Sequence, residues 1–232
     1  MIRNGETRPN TNSDGTNERY FSKLQENDYA AKGKISYKLN ADEENISSID
    51  FGLDYRYTER LFSASIFNHR FTGNGPLISI DNPDAIFNQN GIDTGIFSLT
   101  SLNVKASDPN KIVPFTYRGK RLVSGAFTNL VFELSEQFVL SGGIKFEKSI
   151  QRVTYATNIG NSALDGPSNI NRSYVLPSLN MKYNITEDHI LRLAASQTYT
   201  YPQFKETAPF KYQDINFASQ GNPDLKPSDN YN

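Results

Sequence analysis

Apolar and polar residues alternate along most of this chain with a period of two. In the runs 29–39 and 49–57 the odd positions are mostly apolar or aromatic, and the even positions are mostly polar. Side chains of a β-strand point alternately to opposite sides, so this period indicates strands with one apolar and one polar face. Similar runs occupy 138–147, 175–184 and 191–201, with a less regular one at 122–134. Because no helical spacing persists for three turns, we predict an all-β protein.

Two places interrupt the alternation. After Glu59 and Arg60 the apolar residues shift to Phe62, Ala64 and Ile66. This change of parity predicts a bulge within one long strand. A proline, Pro177, lies inside another predicted strand, where its missing N–H predicts a lost ladder bond or a second bulge.

Short and long connections alternate between the predicted strands. The short ones are 40–45, 135–137 and 185–189, and the long ones are about 72–119, 159–172 and 202–228. Successive turns of an antiparallel sheet lie at opposite ends, so one end carries tight turns and the other carries large loops. Outer-membrane barrels have this asymmetry, with short periplasmic turns and long extracellular loops. We therefore predict a segment of an antiparallel, up-and-down transmembrane β-barrel.

Strand length and aromatic placement agree with a membrane barrel. A tilted strand needs about 9–11 residues to cross the hydrocarbon layer, and the alternating runs are of that order or longer. Tyrosines gather near the strand ends, as an interfacial girdle requires. They are Tyr29, Tyr37, Tyr55, Tyr57, Tyr183, Tyr199 and Tyr201. A secreted or cell-surface β-sandwich that binds glycan or protein remains the alternative, since its strands also have two unlike faces.

Composition excludes several classes of function. The chain has 24 Lys and Arg against 25 Asp and Glu, a net charge of −1, so no basic field points to nucleic acid. Cysteine is absent, which removes disulfides and thiolate sites. The mean hydropathy is −0.58, and no apolar run reaches the roughly 18 residues of a membrane helix. A barrel gives the same averages, because its lumenal residues are polar.

Six complete strands are predicted, and a seventh begins near Asp229. Single-chain outer-membrane barrels start at about eight strands, and each unpaired backbone group at an open edge in lipid costs several kcal/mol. No apolar leader stretch is visible in the first 20 residues. We therefore expect residues 1–232 to form part of a single, larger barrel domain.

The stretch 176–227 closely resembles the barrel of TonB-dependent receptors from Gram-negative bacteria. Its strands contain Pro-Ser-Leu-Asn at 177–180 and Leu-Arg-Leu-Ala at 191–194. The loop between the last two strands matches the family at Pro202, Phe204, Glu206, Ala208, Pro209, Phe210, Gly221, Asn222, Pro223 and Leu225. Two residues depart from the family pattern: Tyr201 stands where arginine is usual, and Thr207 where leucine is usual.

The resemblance implies an outer-membrane active transporter with about 22 strands and a plugged lumen. It also implies that a plug domain and a TonB-contacting segment precede the barrel, and neither is recognisable in these residues. The expected partners are outer-membrane lipid, the plug, TonB and a surface lipoprotein. The resemblance leaves the nutrient open among siderophore, glycan, peptide and cobalamin, and it implies neither enzymatic activity nor a cofactor.

Ligand selectivity is expected in the long loops, above all 72–119. Four aromatic residues there, Phe87, Phe97, Phe115 and Tyr117, either stack on a ligand or pack the loop. On the strands, five charged residues occupy the polar positions of the alternation. In a barrel these positions line the lumen, and in a soluble sheet they face solvent. These residues are Lys32, Lys34, Arg56, Lys145 and Glu147.

Metal binding and catalysis have weaker sequence support. The segments 81–84 and 222–224 are rich in Asp and Asn, which offer oxygen ligands to calcium but are also ordinary turn residues. The only two histidines are His69 and His189. Either one is a candidate for a barrel hydrolase only if a serine and a carboxylate lie beside it, so no metal and no catalytic residue is predicted.

Overall fold

The computed structural model describes residues 6–8, 18–40, 45–71, 75–101, 104–105, 108–112, 114–156, 167–213 and 218–232. An antiparallel sheet of eight strands dominates it, and consecutive long strands are neighbours. The strands are β1 Glu18–Lys38, β2 Ser48–Phe71, β3 Phe97–Ser101, β4 Phe115–Ser135, β5 Phe138–Ala156, β6 Ser168–Asn184, β7 Ile190–Thr200 and β8 Ser228–Tyr231. The order is β8-β7-β6-β5-β4-β2-β1, with β3 paired to the far end of β2. The prediction of an antiparallel up-and-down barrel segment is confirmed, and the sheet is not closed.

Smaller elements lie in the long connections. The α-helices are α1 Gln89–Asp93 and α2 Phe204–Thr207, and a 3₁₀ turn occupies Pro83–Ala85. Three two-stranded ribbons pair Glu6–Thr7 with Ile78–Ser79, Val104–Lys105 with Asp108–Ile112, and Lys211–Gln213 with Ala218–Gln220. Within the described residues, no helix combines the length and apolarity that a membrane span requires.

Turns and long connections lie at opposite ends of the sheet, as predicted. The turns β1–β2, β4–β5 and β6–β7 share one end, where the backbone N–H of Asn184 donates to the carbonyl of Gln137 at 2.8 Å. At the same end, the N–H of Ile46 donates to the Glu133 carboxylate at 2.9 Å. These bonds link neighbouring turns, and the connections β2–β4, β5–β6 and β7–β8 all leave from the other end.

The predicted bulge in β2 is wrong, although β2 is one long strand. Its pairing with β4 runs without a register shift from Ser48 to Ala64, and its pairing with β1 is equally regular. Since alternation is unbroken, Phe62 and Ala64 lie on the face opposite to Leu53. From Phe62 onward the apolar residues of β2 lie on this opposite face because a loop covers it at this height of the sheet.

The alternation of side chains along β7 changes opposite Pro177, which lies on the neighbouring strand β6. Pairing between β6 and β7 extends only as far as Ser178, the residue that follows Pro177, whose missing N–H removes a ladder bond. Beyond this point the Tyr199 ring stacks on Tyr174, with centroids 3.8 Å apart. Tyr199 and Tyr201 therefore lie on the polar side of the sheet, and their assignment to an aromatic girdle is wrong.

The two faces of the sheet differ sharply. We call the face that carries Ile35 and Leu53 the belt face, and the opposite one, which carries Asp54 and Glu147, the polar face. Side chains of the belt face are unusually bare for apolar residues, with Ile35 at 76% and Leu53 at 67% exposure. Together they form the belt: Ile35, Tyr37, Phe51, Leu53, Leu130, Phe146, Val175, Leu179 and Leu193.

The packed interior lies elsewhere, on the polar face near the long connections. A cluster of buried side chains joins the upper wall to the β7–β8 connection: Tyr117, Val153, Phe204, Ala208 and Phe210. A second cluster contains Ile170, Tyr174 and Tyr201. Both clusters depend on chain that folds back onto the polar face, so this face positions the candidate site.

Candidate functional site on the polar face

Ion pairs line the polar face across β1, β2 and β5. Arg56 holds Asp28 at 2.6 Å, and Lys145 lies 3.1 Å from Asp54 and also pairs with Glu147. Further pairs are Lys34–Asp50 and Arg60–Glu26, and Lys32 sits 5.0 Å from the centre of the Phe127 ring. The five residues of the predicted polar parity do share this face. Exposed pairs contribute at most about 1 kcal/mol each, so their main effect is a hydrophilic, charge-balanced surface.

The segment 201–210 of the β7–β8 connection lies against this face. The carbonyl of Pro202 accepts hydrogen bonds from Arg121 and from the Gln151 side chain, both at 3.1 Å. Arg121 also donates to the Gln151 oxygen at 2.7 Å. Gln151 is only 1% exposed, so this small network satisfies polar groups that would be costly to bury alone.

Phe204 is the apolar anchor of the segment. It is 4% exposed and occupies a slot over Gly119, where any Cβ would stand 2.4 Å from the Phe204 ring. Two guanidinium groups flank the ring, Arg60 at 5.5 Å and Arg121 at 5.2 Å from its centre. The slot therefore requires glycine on β4 and supplies cation–π contacts from β2 and β4.

Phe210 closes the apolar cluster at the far end of the segment. Its ring contacts Tyr117 at 5.7 Å and Phe115 at 6.0 Å between centroids. Tyr117 in turn stacks on Phe62 at 4.9 Å. Burial raises the pKa of the Tyr117 phenol, which lies well beyond the belt, so this hydroxyl stays neutral at ordinary pH.

The returning chain locks the segment in place through backbone bonds. Glu206 accepts from the N–H of Gln203 through its carboxylate at 2.7 Å and from the N–H of Asn222 through its carbonyl at 2.6 Å. A Cβ on Gly221 would stand 1.9 Å from the carbonyl oxygen of Ala208. Glutamate and glycine are therefore needed for local geometry at these two positions.

The remaining family-motif residues also have structural contacts. The carbonyl of Pro223 accepts from the Ser168 hydroxyl at 2.8 Å. Asn222 accepts from the N–H of Asp224 at 2.9 Å through its side chain, which is an ordinary turn bond. Pro209 is fully buried and Leu225 is 36% exposed. In the structure this motif fastens a loop to the wall.

The two departures from the family pattern are accommodated locally. Tyr201 donates to the carbonyl of Ser149 at 3.2 Å and lies 5.2 Å from the Arg121 guanidinium. Thr207 is fully buried, and its hydroxyl donates to the carbonyl of Phe204 at 3.1 Å. Both hydroxyl groups thus have hydrogen-bond partners, Tyr201 on the wall and Thr207 within the loop.

The four candidate ligand-stacking residues fall into two separate groups. Phe87 and Phe97 pack together in the β2–β4 connection, at 5.6 Å, with His69 and Phe71 around them. Phe115 and Tyr117 instead lie on β4 against Phe210. All four pack against protein, and a role in ligand binding stays a prediction.

The other candidate sites are dispersed. His189 shares a hydrogen bond of 2.9 Å with the Thr186 hydroxyl in the β6–β7 turn, and His69 contacts the phenylalanine cluster. The carbonyl of Asn82 accepts from the N–H of Ala85, which starts a turn. Among the described residues, no group of three or more His, Cys, Asp or Glu is arranged to hold a metal ion.

A cavity of about 850 Å³ lies on the polar face beside the segment. Arg56, Arg60, Arg121 and Glu26 line it together with Phe204. Of these, only Arg56 and Phe204 are candidates from the sequence. The others come from three strands that are far apart in the sequence. Each is a polar residue at a polar position of the alternation, so nothing in the sequence distinguishes it from the polar residues that do not line the cavity.

A protein-family model described as "TonB dependent receptor-like, beta-barrel" matches residues 2–232. No significant match was found among curated proteins or among solved structures.

Proposed function

Because this chain belongs to the TonB dependent receptor-like β-barrel family, whose members are outer-membrane transporters rather than enzymes, we propose that its sheet forms a sector of the wall of a nutrient transporter. The belt face lies against lipid, and the polar face lines the lumen. Residues 1–232 act as part of one barrel domain.

The bare belt is the observation that carries this proposal. Leu53, Leu193 and Phe146 are between 55% and 67% exposed, and the buried clusters lie on the other face. Exposing a large apolar surface to water is unfavourable at about 25 cal/mol per Å², whereas hydrocarbon removes that penalty. A soluble β-sandwich needs a second sheet on this face, and in the described part of the chain the face is uncovered.

The dimensions of the belt fit a bilayer. On β2 the belt extends over residues 49–57, close to the 9–11 residues that a tilted strand needs. Tyr29 and Tyr57 pair directly at its upper limit, and at the turn end the Tyr183 and Phe138 rings meet at 6.0 Å. Strands such as β2, with 24 residues, continue well beyond the upper limit, which raises the long connections above the membrane.

The polar face and the loops supply the other parts of a transporter. Balanced ion pairs beneath the segment 201–210 make a hydrophilic surface suited to a plug domain, through which the family couples to TonB. The long connections, all at the outer end, are the proposed ligand-contacting part, with the Phe87 and Phe97 group within the longest. A surface lipoprotein partner stays a prediction.

Spin labels on adjacent residues of one strand test the orientation. Leu53→Cys and Asp54→Cys point to opposite faces of β2 and differ by one position, so each is the matched control of the other. In the full-length receptor in liposomes, we expect the label at 53 to collide with dissolved oxygen and the label at 54 with a water-soluble nickel complex.

A label at 53 that meets the nickel complex as readily as the label at 54 would contradict the lipid-facing wall. The pair Phe146→Cys and Glu147→Cys repeats the comparison on β5, three strands from the edge of the sheet. The same result on both strands would reflect the orientation of the whole sheet, whereas a different result on one strand would indicate a local distortion.

A further inference from the structure

Beyond the belt, the belt face becomes strongly cationic. On this part of the strands we find six basic residues and a single acid, Glu59, although the whole chain has a net charge of −1. The basic residues are Arg19, Lys23, Arg118, Lys120, Lys148 and Arg152. On the polar face, by contrast, five ion pairs bring bases and acids together.

The one acid is already engaged. Arg118 donates to Glu59 at 2.7 Å, and the ammonium of Lys120 lies 3.7 Å away. This hydrogen bond lowers the pKa of the Glu59 carboxyl, which lies above the belt and stays ionised. Lys148 and Arg152 have no side-chain partner among the described residues.

Three of the cations lie at or just beyond the upper limit of the belt: Lys148, Lys120 and Arg152. Lys148 is two residues beyond the belt residue Phe146 on β5, which is about 7 Å along a strand. Lys120 pairs directly with Arg152 across β4 and β5, and like charges placed opposite each other destabilise a sheet. Glu59 offsets only part of this repulsion, because its carboxylate is shared with Arg118.

Pairing of cations alone does not define the site. A second pair, Lys182 and Arg192, also faces across two strands, but it lies on the polar face near the turns. What distinguishes Lys120 and Arg152 is their place immediately above a bare apolar belt. Beside them a groove of about 590 Å³ opens, lined by Arg118, Leu61 and Lys23.

We propose that Lys120, Arg152 and Lys148 form a binding site for the phosphate groups of an anionic glycolipid in the outer leaflet. This site rests on the proposed function, since it requires the belt face to meet lipid. The acyl chains lie along the belt, and the phosphates sit between the cations. Cations near a charged membrane surface attract anionic lipid, each by roughly five-fold in affinity.

Removal of two charges tests the site. We compare the full-length receptor with the double variant Lys120→Gln/Arg152→Gln in detergent, titrated with diphosphoryl lipid A. We expect a loss of affinity of about 30-fold, a smaller loss at high salt, and weak binding of dephosphorylated lipid A to both proteins. The double variant Lys182→Gln/Arg192→Gln removes the same charges from the polar face and should bind like the parent.

Each contrary outcome has a distinct meaning. Unchanged affinity of the Lys120→Gln/Arg152→Gln variant, or an equal loss in the polar-face variant, overturns the site. Competition by inorganic phosphate as effective as lipid A also overturns it, because the ligand is then a free anion. If the Leu53→Cys label meets oxygen while lipid affinity is unchanged, the site fails and the wall orientation stands. Should the double variant not fold, Lys148→Gln alone, with an expected five-fold loss, replaces it.

Discussion

Replacing Phe204 with alanine should release the segment 201–210 from the wall. The ring is 4% exposed and fills the slot over Gly119. Truncation of a buried phenylalanine typically costs about 3–5 kcal/mol. Each of the two flanking guanidinium groups adds about 0.5–1 kcal/mol of cation–π attraction, which is lost at the same time.

The measurement is amide hydrogen exchange of peptides covering 203–210, followed by mass spectrometry on the full-length receptor. The N–H groups of Glu206 and Phe210 are hydrogen-bonded within the segment, at 3.0 and 2.7 Å, and exchange only when it opens. A loss of 3–5 kcal/mol corresponds to faster exchange by about 10²- to 4 × 10³-fold. Peptides from β4 and β5 should keep their protection, because the wall ladders do not depend on the loop.

Phe146→Ala is the matched control for this variant. It removes the same ring from the belt, where the side chain is 55% exposed, and should leave exchange at 203–210 unchanged. If Phe204→Ala leaves the segment as protected as in the parent, the ring is not its anchor. If both variants accelerate exchange equally, the effect is general loosening of the barrel, and the reasoning from the slot is refuted.

Three further predictions concern the same segment. Gly221→Ala should accelerate its exchange as well, because the new methyl group collides with the carbonyl of Ala208, whereas Gly142→Ala, whose nearest neighbour is 3.5 Å away, should not. Tyr201→Phe removes one buried hydrogen bond and should increase opening by about five-fold, equivalent to roughly 1 kcal/mol; an unchanged exchange rate would show that the bond contributes nothing. Because burial raises the pKa of Tyr117, the folded segment favours the neutral phenol. This stabilisation of the folded segment is complete below the ordinary tyrosine pKa of about 10, and it is lost as pH rises through the raised pKa. The segment should therefore open more in alkali, and exchange referenced to intrinsic rates should lose this pH dependence in Tyr117→Phe.

Much of the wall was predictable from the sequence because the relevant signal is local. Alternation of apolar and polar residues over 29–39 and 49–57 reports the two environments of a single strand directly. Turn lengths then order the strands without any knowledge of distant contacts. The motif at 202–210 also identified the family, although it did not reveal what its residues do.

The site was less predictable because it is assembled from distant parts of the chain. Arg60, Arg121 and Gln151 meet the segment 201–210 only after β2, β4 and β5 are in register. The predicted bulge failed for the same reason. A parity shift at Phe62 has two explanations, an inserted residue or a change in what covers the face, and only the position of Phe210 distinguishes them.

Sequence alone thus determined the strands, their two faces and the family, since each follows from neighbours along the chain. The tertiary structure decided which face is packed and which is bare at every height. It showed that Tyr199 and Tyr201 turn away from the belt, and that basic residues from three strands collect above it. Those facts depend on the register between strands. Register is set by pairing between residues that are far apart in the sequence, so no single stretch of sequence reveals it.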